Sequence, residues 1–370
     1  MLLFLNRFAR PLKLCTMPKR RSFIHAAIGL TAAGFASPMS LNTVFANTSQ
    51  QNSTTRVLPK RLKKGDTIGL IAPGYALAPE VLEEAKASLG SMGFKPVHTQ
   101  RILGNHGYFS DTDEGRAADL NEMFADPNVS GILCARGGYG CTRILHRIDY
   151  DTIRANPKVL IGFSDVTALL QAINVETGLV CFHGPVGSTL NDSYSMNRLR
   201  QVVMEPRGTL KIKNKKNLGP KNLNDAVYER YIITEGTASG KLIGGSLTLI
   251  NALIGTPHEM DFTDTIVCIE DVEEAPYRID RMLTQLIHGK TFTKAAGIVF
   301  GVCAGCDEPE NSESFTLKEV IMDRIAPLGI PAVYGMSFGH VENNFTFPIG
   351  IKAEFNAKDM TLTLQEKAVL

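Results

Sequence analysis

The chain has 370 residues, 44% of them hydrophobic and 21% charged, which is the balance of a soluble globular protein with room for two domains. Its formal charge of +2 hides an asymmetry: residues 1–46 hold six Lys/Arg and no Asp/Glu, and without them 33 basic residues face 37 acidic ones. A mildly acidic body without a basic run is ill suited to phosphate backbones, so nucleic acid is not an expected partner, and no later stretch stays apolar long enough to span a bilayer.

Residues 1–46 read as an export signal. Lys19-Arg20-Arg21-Ser22-Phe23-Ile24 pairs two arginines before a hydrophobic pair, a weakly apolar run follows from Ala26 to Ala36, and Val44-Phe45-Ala46 places small residues at a cleavage site. The double arginine points to the twin-arginine route. A membrane anchor or a disordered arm is the alternative. On the signal reading Met17 could serve as the start, the mature chain begins near Asn47, and the protein works in the periplasm or beyond. A cytoplasmic protein is the other reading. Residues 47–58 are a polar spacer.

The first domain is expected over residues 59–190. Asp66 to Gly74 reads as a buried strand ended by Pro and Gly, Pro79 to Met92 as a helix with Val81, Leu82, Ala85 and Leu89 on one face, and Lys95 to Thr99 as a short strand. Asp113 to Phe124 is helical, with acidic residues in its first turn. Val129 to Cys134 is a further strand, ending in Arg136-Gly-Gly-Tyr-Gly140, and Val159 to Gly162 is another, leading into an apolar helix over Val166 to Ile173. This alternation predicts an α/β domain with a mostly parallel sheet covered by helices on both faces. From 191 to 235 Asn, Lys, Pro and Gly accumulate, as in Lys213 to Pro220, and the stretch reads as an inter-domain connection. A smaller, mixed, β-rich domain is expected over 236–370. Its strands lie at Ile266–Ile269, Gly297–Val302, Ile330–Tyr334 and Met360–Leu364, with a helix at Arg278–Ile287.

Ser164 has the most informative surroundings. A strand ending in Gly162 that turns at once into a helix lifts the intervening side chain out of the sheet, and the helix start aims N–H groups at it. That is the geometry of a nucleophile elbow, although Gly-Phe-Ser-Asp-Val is not G-x-S-x-G; a helix N-cap serine fits equally well. Gly137 and Gly138 follow a strand of the same sheet and would let backbone N–H groups approach a ligand closely. Their spacing fits neither dinucleotide nor P-loop patterns, and with a nucleophile nearby an oxyanion hole is the better reading.

A serine nucleophile needs a base, and the base needs an orienting group. Local pattern does not choose among His98, His106, His146, His183, His258, His288 and His340, and His183 could simply anchor a turn. Glu270 stands out because it ends an apolar strand, where an acid lies at an active-site edge or is paired internally. Cys134, Cys181 and Cys268 sit inside apolar runs and read as core residues. Cys303 and Cys306 could close a small disulfide in an oxidising compartment, and the spacing of the cysteines does not suggest a structural metal.

Several blocks in one order carry a resemblance: Gly65-Asp-Thr-Ile-Gly-Leu-Ile-Ala-Pro-Gly74, Ala135-Arg-Gly-Gly-Tyr-Gly140, Ile161-Gly-Phe-Ser-Asp165, Gly240-Lys-Leu-Ile-Gly-Gly245, Ile269 to Asp280 and Phe338-Gly-His340. From about Gly65 to Gly350 the chain resembles the LD-carboxypeptidase family of serine peptidases, which includes the microcin-immunity peptidases. The resemblance implies a flavodoxin- or glutamine-amidotransferase-like first domain. It puts the nucleophile at Ser164, with Glu270 and His340 as its partners, and oxyanion donors at the backbone N–H groups of Asp165 and Gly138.

It further implies a peptidoglycan tetrapeptide as substrate, loss of its terminal D-alanine, no metal or organic cofactor, and a homodimer. Ser246 departs from the family, which often has Asn after the paired glycines. Two other functions are weighed against this one: a microcin-immunity-like peptidase acting on a peptide–nucleotide conjugate, although such members often stack the base on tryptophan and this chain has none, and a non-catalytic muropeptide-binding protein. Arg136 and Arg278 are conceivable anchors for the substrate carboxylate, each with a structural role that fits as well.

Overall fold

Short apolar runs closed by glycine or proline become the strands of two sheets, and the residues that close them become the loops of the site. The computed structural model of the protein describes residues 55–212, 214–215, 226–307 and 313–370. The export signal read over 1–46 and most of the Lys213–Pro220 run lie outside these residues. Among the described residues the strands in chain order are β1 (Thr67–Ile71), β2 (Lys95–Val97), β3 (Val129–Cys134), β4 (Val159–Gly162), β5 (Phe182–His183), β6 (Leu210–Ile212), β7 (Tyr231–Thr234), β8 (Thr237–Ser246), β9 (Thr265–Glu270), β10 (Gly297–Phe300), β11 (Ala332–Tyr334), β12 (Phe347–Pro348), β13 (Lys352–Asn356) and β14 (Thr361–Leu364).

The first sheet has the order β12-β5-β4-β3-β1-β2. All its pairs are parallel except β12 with β5. Without β12 the order is 2-1-3-4-5, the flavodoxin-like winding, in which the direction of growth reverses between β1 and β3. The parallel strands β3 and β4 are buried almost throughout, as strands covered on both faces must be. Helices at Pro79–Ser91, Asp113–Ala125 and Thr167–Thr177 lie where periodicity predicts them, within a few residues. Thr112 caps the second by accepting the Gly115 N–H, with Asp113 and Glu114 in its first turn.

The second sheet runs β6-β14-β13-β8-β9-β10-β11-β7. Its centre, β8-β9-β10-β11, is parallel, and antiparallel strands flank it on both sides. It carries more strands than the first.

The stretch 191–235 holds more structure than its polar composition suggests. A helix at Ser193–Val203 buries Leu199, Val202 and Val203, with Asp192 as its cap, and β6 and β7 join the second sheet. The apolar stripe of that helix is narrow, so the surrounding Arg, Asn and Gln mask it in sequence. The chain also returns late to the first sheet: β12, from the C-terminal half, pairs with β5. All described residues fall within one compact unit, Asn52–Leu370. No helix among them is long and apolar enough to cross a membrane.

Candidate active site

Residues leaving the carboxyl ends of β3, β4 and β5 meet residues from the carboxyl end of β9 and the loop after β11. Ser164 is set by the abrupt change from β4 to a 3-10 turn, Ser164–Val166, and then to the helix Thr167–Thr177. Its φ is 62°, a left-handed conformation that a non-glycine residue holds at a cost on the order of 1–3 kcal/mol and that the surrounding packing must impose. Of the two sequence readings, the strained elbow describes this residue and the N-cap does not: Ser164 lies inside the turn, and no side-chain cap bond precedes the helix.

Glu270 is the last residue of β9 and is fully buried. His340 follows Gly339, which bridges to Val302 after β10. The imidazole bridges the other two groups: Nε2 lies 3.1 Å from Ser164 Oγ and Nδ1 lies 2.9 Å from Glu270 Oε2. His340 is 70 positions from Glu270 and 176 from Ser164 in the chain, yet the three form one continuous hydrogen-bonded line. Burial alone would raise the Glu270 carboxyl; the His340 charge and the two imidazoles facing the carboxylate outweigh it and hold the group down at about 2. Burial likewise works to lower the His340 pKa, but the Glu270 charge and hydrogen bond prevail, and it stands above its ordinary 6.5.

His183 is the residue that sequence reasoning set aside. It ends β5, is fully buried, and its Nε2 lies 3.6 Å from Glu270 Oε1. That is slightly beyond a normal hydrogen bond. Neither His183 ring nitrogen nor Glu270 Oε1 has a hydrogen-bond partner among the described residues, so the two groups face each other. Phe347 stacks on the His183 ring at 4.5 Å, while Phe163 and Phe338 meet it edge-on. The signal was available: His183 ends the apolar run Leu179-Val-Cys-Phe182 much as Glu270 ends Ile266-Val-Cys-Ile269.

The glycine turn after β3 lies against Ser164. A Cβ on Gly137 would sit 3.1 Å from Ser164 Cβ, and Gly138 has φ 108° with the Tyr75 ring where a side chain would go. Two buried side chains brace this turn. Arg116 donates from Nη1 to the carbonyls of Pro73 and Gly140, and Asp165 accepts the Cys141 N–H at 2.8 Å. Burial raises the Asp165 carboxyl pKa despite that bond. On the second sheet the Ser246 N–H donates to Thr167 Oγ1 at 3.1 Å, and Ser246 caps the helix Leu247–Leu253. At this position, then, the backbone N–H ties β8 to the helix that follows Ser164, and the side chain serves as a helix cap.

The profile of the LD-carboxypeptidase N-terminal domain matches residues 68–184, and that of the C-terminal domain matches 239–355. The chain belongs to the LD-carboxypeptidase family. It is a serine-type carboxypeptidase. A protein of Bacillus subtilis (strain 168) described as a probable murein peptide carboxypeptidase is 38% identical over 312 residues, 83% of this chain and 94% of its own. Among solved structures, an MccF-like protein from Bacillus anthracis str. Ames is 30% identical with a TM-score of 0.74, covering 84% of this chain and 99% of that one. A muramoyltetrapeptide carboxypeptidase from Oxalobacter formigenes is 26% identical with a TM-score of 0.69, covering 81% and 99%.

Other candidate residues of this LD-carboxypeptidase chain make their bonds outside the Ser164–His340–Glu270 line. Arg278 is exposed and bonds Tyr277 and Glu274, and Arg136 donates to the Ala76 carbonyl. His98 bonds the Thr99 carbonyl and His258 faces Glu176. All six described cysteines are buried thiols. The suggested Cys303–Cys306 disulfide is therefore absent here: Cys306 Sγ instead accepts the Glu274 N–H and points at the Ala304 carbonyl.

Proposed function

We propose that the protein removes the terminal D-alanine from murein tetrapeptides through Ser164, His340 and Glu270. The observation that carries this reading is the placement of one imidazole within hydrogen-bond reach of both a strained serine and a buried carboxylate. In the first step His340 Nε2 takes the Ser164 proton as Oγ bonds to the carbonyl carbon of the residue before D-alanine. The oxyanion so formed is held by the backbone N–H groups of Gly138 and Asp165, each such donor contributing about 3 kcal/mol of transition-state stabilisation. The C–N bond then breaks, and His340 returns its proton to the departing amine of D-alanine. Water then attacks the ester carbonyl as His340 takes its proton, and the C–Oγ bond breaks as His340 returns that proton to Ser164 Oγ, freeing the shortened peptide. Glu270 fixes the imidazole tautomer and stabilises its cation throughout. These residues suffice for the chemistry without a metal or organic cofactor.

Likeness to murein-directed relatives supports the substrate class. A peptide–nucleotide conjugate is the second reading, favoured by likeness to the MccF-like structure. D-alanine release from a free tetrapeptide, compared between wild type and Ser164→Ala, tests the assignment: turnover by the wild type alone supports it, and turnover by both removes it. Residues 1–46 further lead us to place the mature enzyme in the cell envelope, and the family resemblance leads us to expect a homodimer. Recovery of the processed protein only from cytoplasmic fractions would contradict the first, and a monomer in sedimentation the second.

A further inference from the structure

The first sheet reverses its direction of growth between β1 and β3, and the loops leaving those strands diverge there. In an open parallel sheet this crevice is where ligands bind. Here it is lined by aromatic rings. Tyr75 follows β1, Tyr139 follows β3, and Tyr108 comes from the turn that pairs His106 with Phe109. The Tyr108 ring centroid lies 5.6 Å from that of Tyr75 and 6.0 Å from that of Tyr139. Tyr108 is 56% exposed and Tyr139 44% exposed, so the cluster presents ring surface to solvent. The Arg136 guanidinium stands 5.7 Å from the Tyr75 ring. The patch is also tied to the nucleophile. Tyr75 donates its N–H to the Gly137 carbonyl at 3.1 Å, and Gly137 lies against Ser164.

We propose that Tyr108 and Tyr139 form a subsite for the saccharide end of a glycan-linked stem peptide. This rests on the murein-peptide reading above and extends it. A stem peptide is polar and rich in carboxylates, and it offers no large apolar face to a row of rings. A pyranose does: its C–H face packs on an aromatic ring, while its hydroxyl rim reaches phenol and guanidinium groups. Three extended residues upstream of the cleaved bond span about 10 Å, so a sugar at the peptide's amino end lies outside the elbow, and the tyrosine cluster joined to the elbow through Gly137 is the aromatic surface offered to it.

The test compares kcat/KM for D-alanine release from a disaccharide-linked tetrapeptide and from the free tetrapeptide, in wild type and in Tyr108→Ala/Tyr139→Ala. One or two ring contacts predict a wild-type preference of about tenfold for the glycan-linked substrate. The double variant should lose that preference while cleaving the free peptide within about twofold of wild type, and Tyr108→Phe/Tyr139→Phe should keep most of it. Equal wild-type rates on the two substrates overturn the proposal, as does a variant that loses both rates in proportion. So does a variant that breaks a dimer and keeps the preference, because the patch is then an interface. No D-alanine from either substrate overturns the underlying peptidase reading instead.

Discussion

Glu270 shows how much a single buried group can control. Its carboxylate is held at about 2 despite complete burial, because an imidazole faces each oxygen. The same pairing raises the pKa of His340. Only neutral His340 can accept the Ser164 proton, so kcat/KM should fall as pH drops through a value above 6.5. Glu270→Gln removes the charge that raises His340; the acid limb should move to lower pH while the plateau drops by about 10⁴-fold, the scale of an acid-to-amide change in a serine triad. An acid limb that stays in place would show that Glu270 does not set it. His183→Phe keeps the ring that stacks on Phe347 but leaves Glu270 Oε1 facing carbon. We expect kcat to fall about tenfold, equivalent to about 1.4 kcal/mol, with KM little changed; an unaltered kcat would reduce His183 to core packing. At this scale the sequence alone was informative for Ser164 and Glu270, whose strand-end settings are local. It could not choose His340 among the histidines, because what distinguishes it is contact with residues far away in the chain.

Elements differ in how plainly the sequence announces them. β3, β4 and β9 are apolar runs with clear stops, and the helix Pro276–Ile287 of the second domain is equally plain. β5 has two residues and β12 two, too short for any period, yet β5 delivers His183. β8 is hard to read because Gly240, Gly244 and Gly245 interrupt it. Those glycines have a packing reason: a Cβ on Gly245 would lie 2.4 Å from Thr167 Oγ1, in the helix that follows Ser164. Gly245→Ala, at φ 144°, should therefore destabilise the fold by about 1–3 kcal/mol and lower kcat by shifting Ser164 relative to Glu270. Urea unfolding together with D-alanine release measures both, and an unchanged midpoint would remove the argument for close packing there.

For the molecule as a whole, the site depends on two sheets meeting. The first supplies Ser164 and the glycine turn, the second Glu270 and the loop that bears His340, and β12 from the C-terminal half closes the edge of the first sheet beside His183. The sequence indicated a mostly parallel first sheet and a mixed, β-rich second domain, and located several of their longer strands. It did not indicate this exchange of a strand, because pairing between Phe347 and His183 is a long-range contact with no local pattern. Ligand binding should couple the halves: substrate bound to Ser164→Ala should raise the unfolding temperature in a single transition, and two separated transitions would contradict a shared site.

The central claim is that Ser164, His340 and Glu270 act as one unit. D-alanine release measured for Ser164→Ala, His340→Ala and the double variant tests it most directly. Groups that work only together should give a double variant no slower than the worse single one, each reduced by about 10⁶-fold. Losses that multiply in the double variant, or a His340→Ala protein that retains most of its activity, would contradict the account.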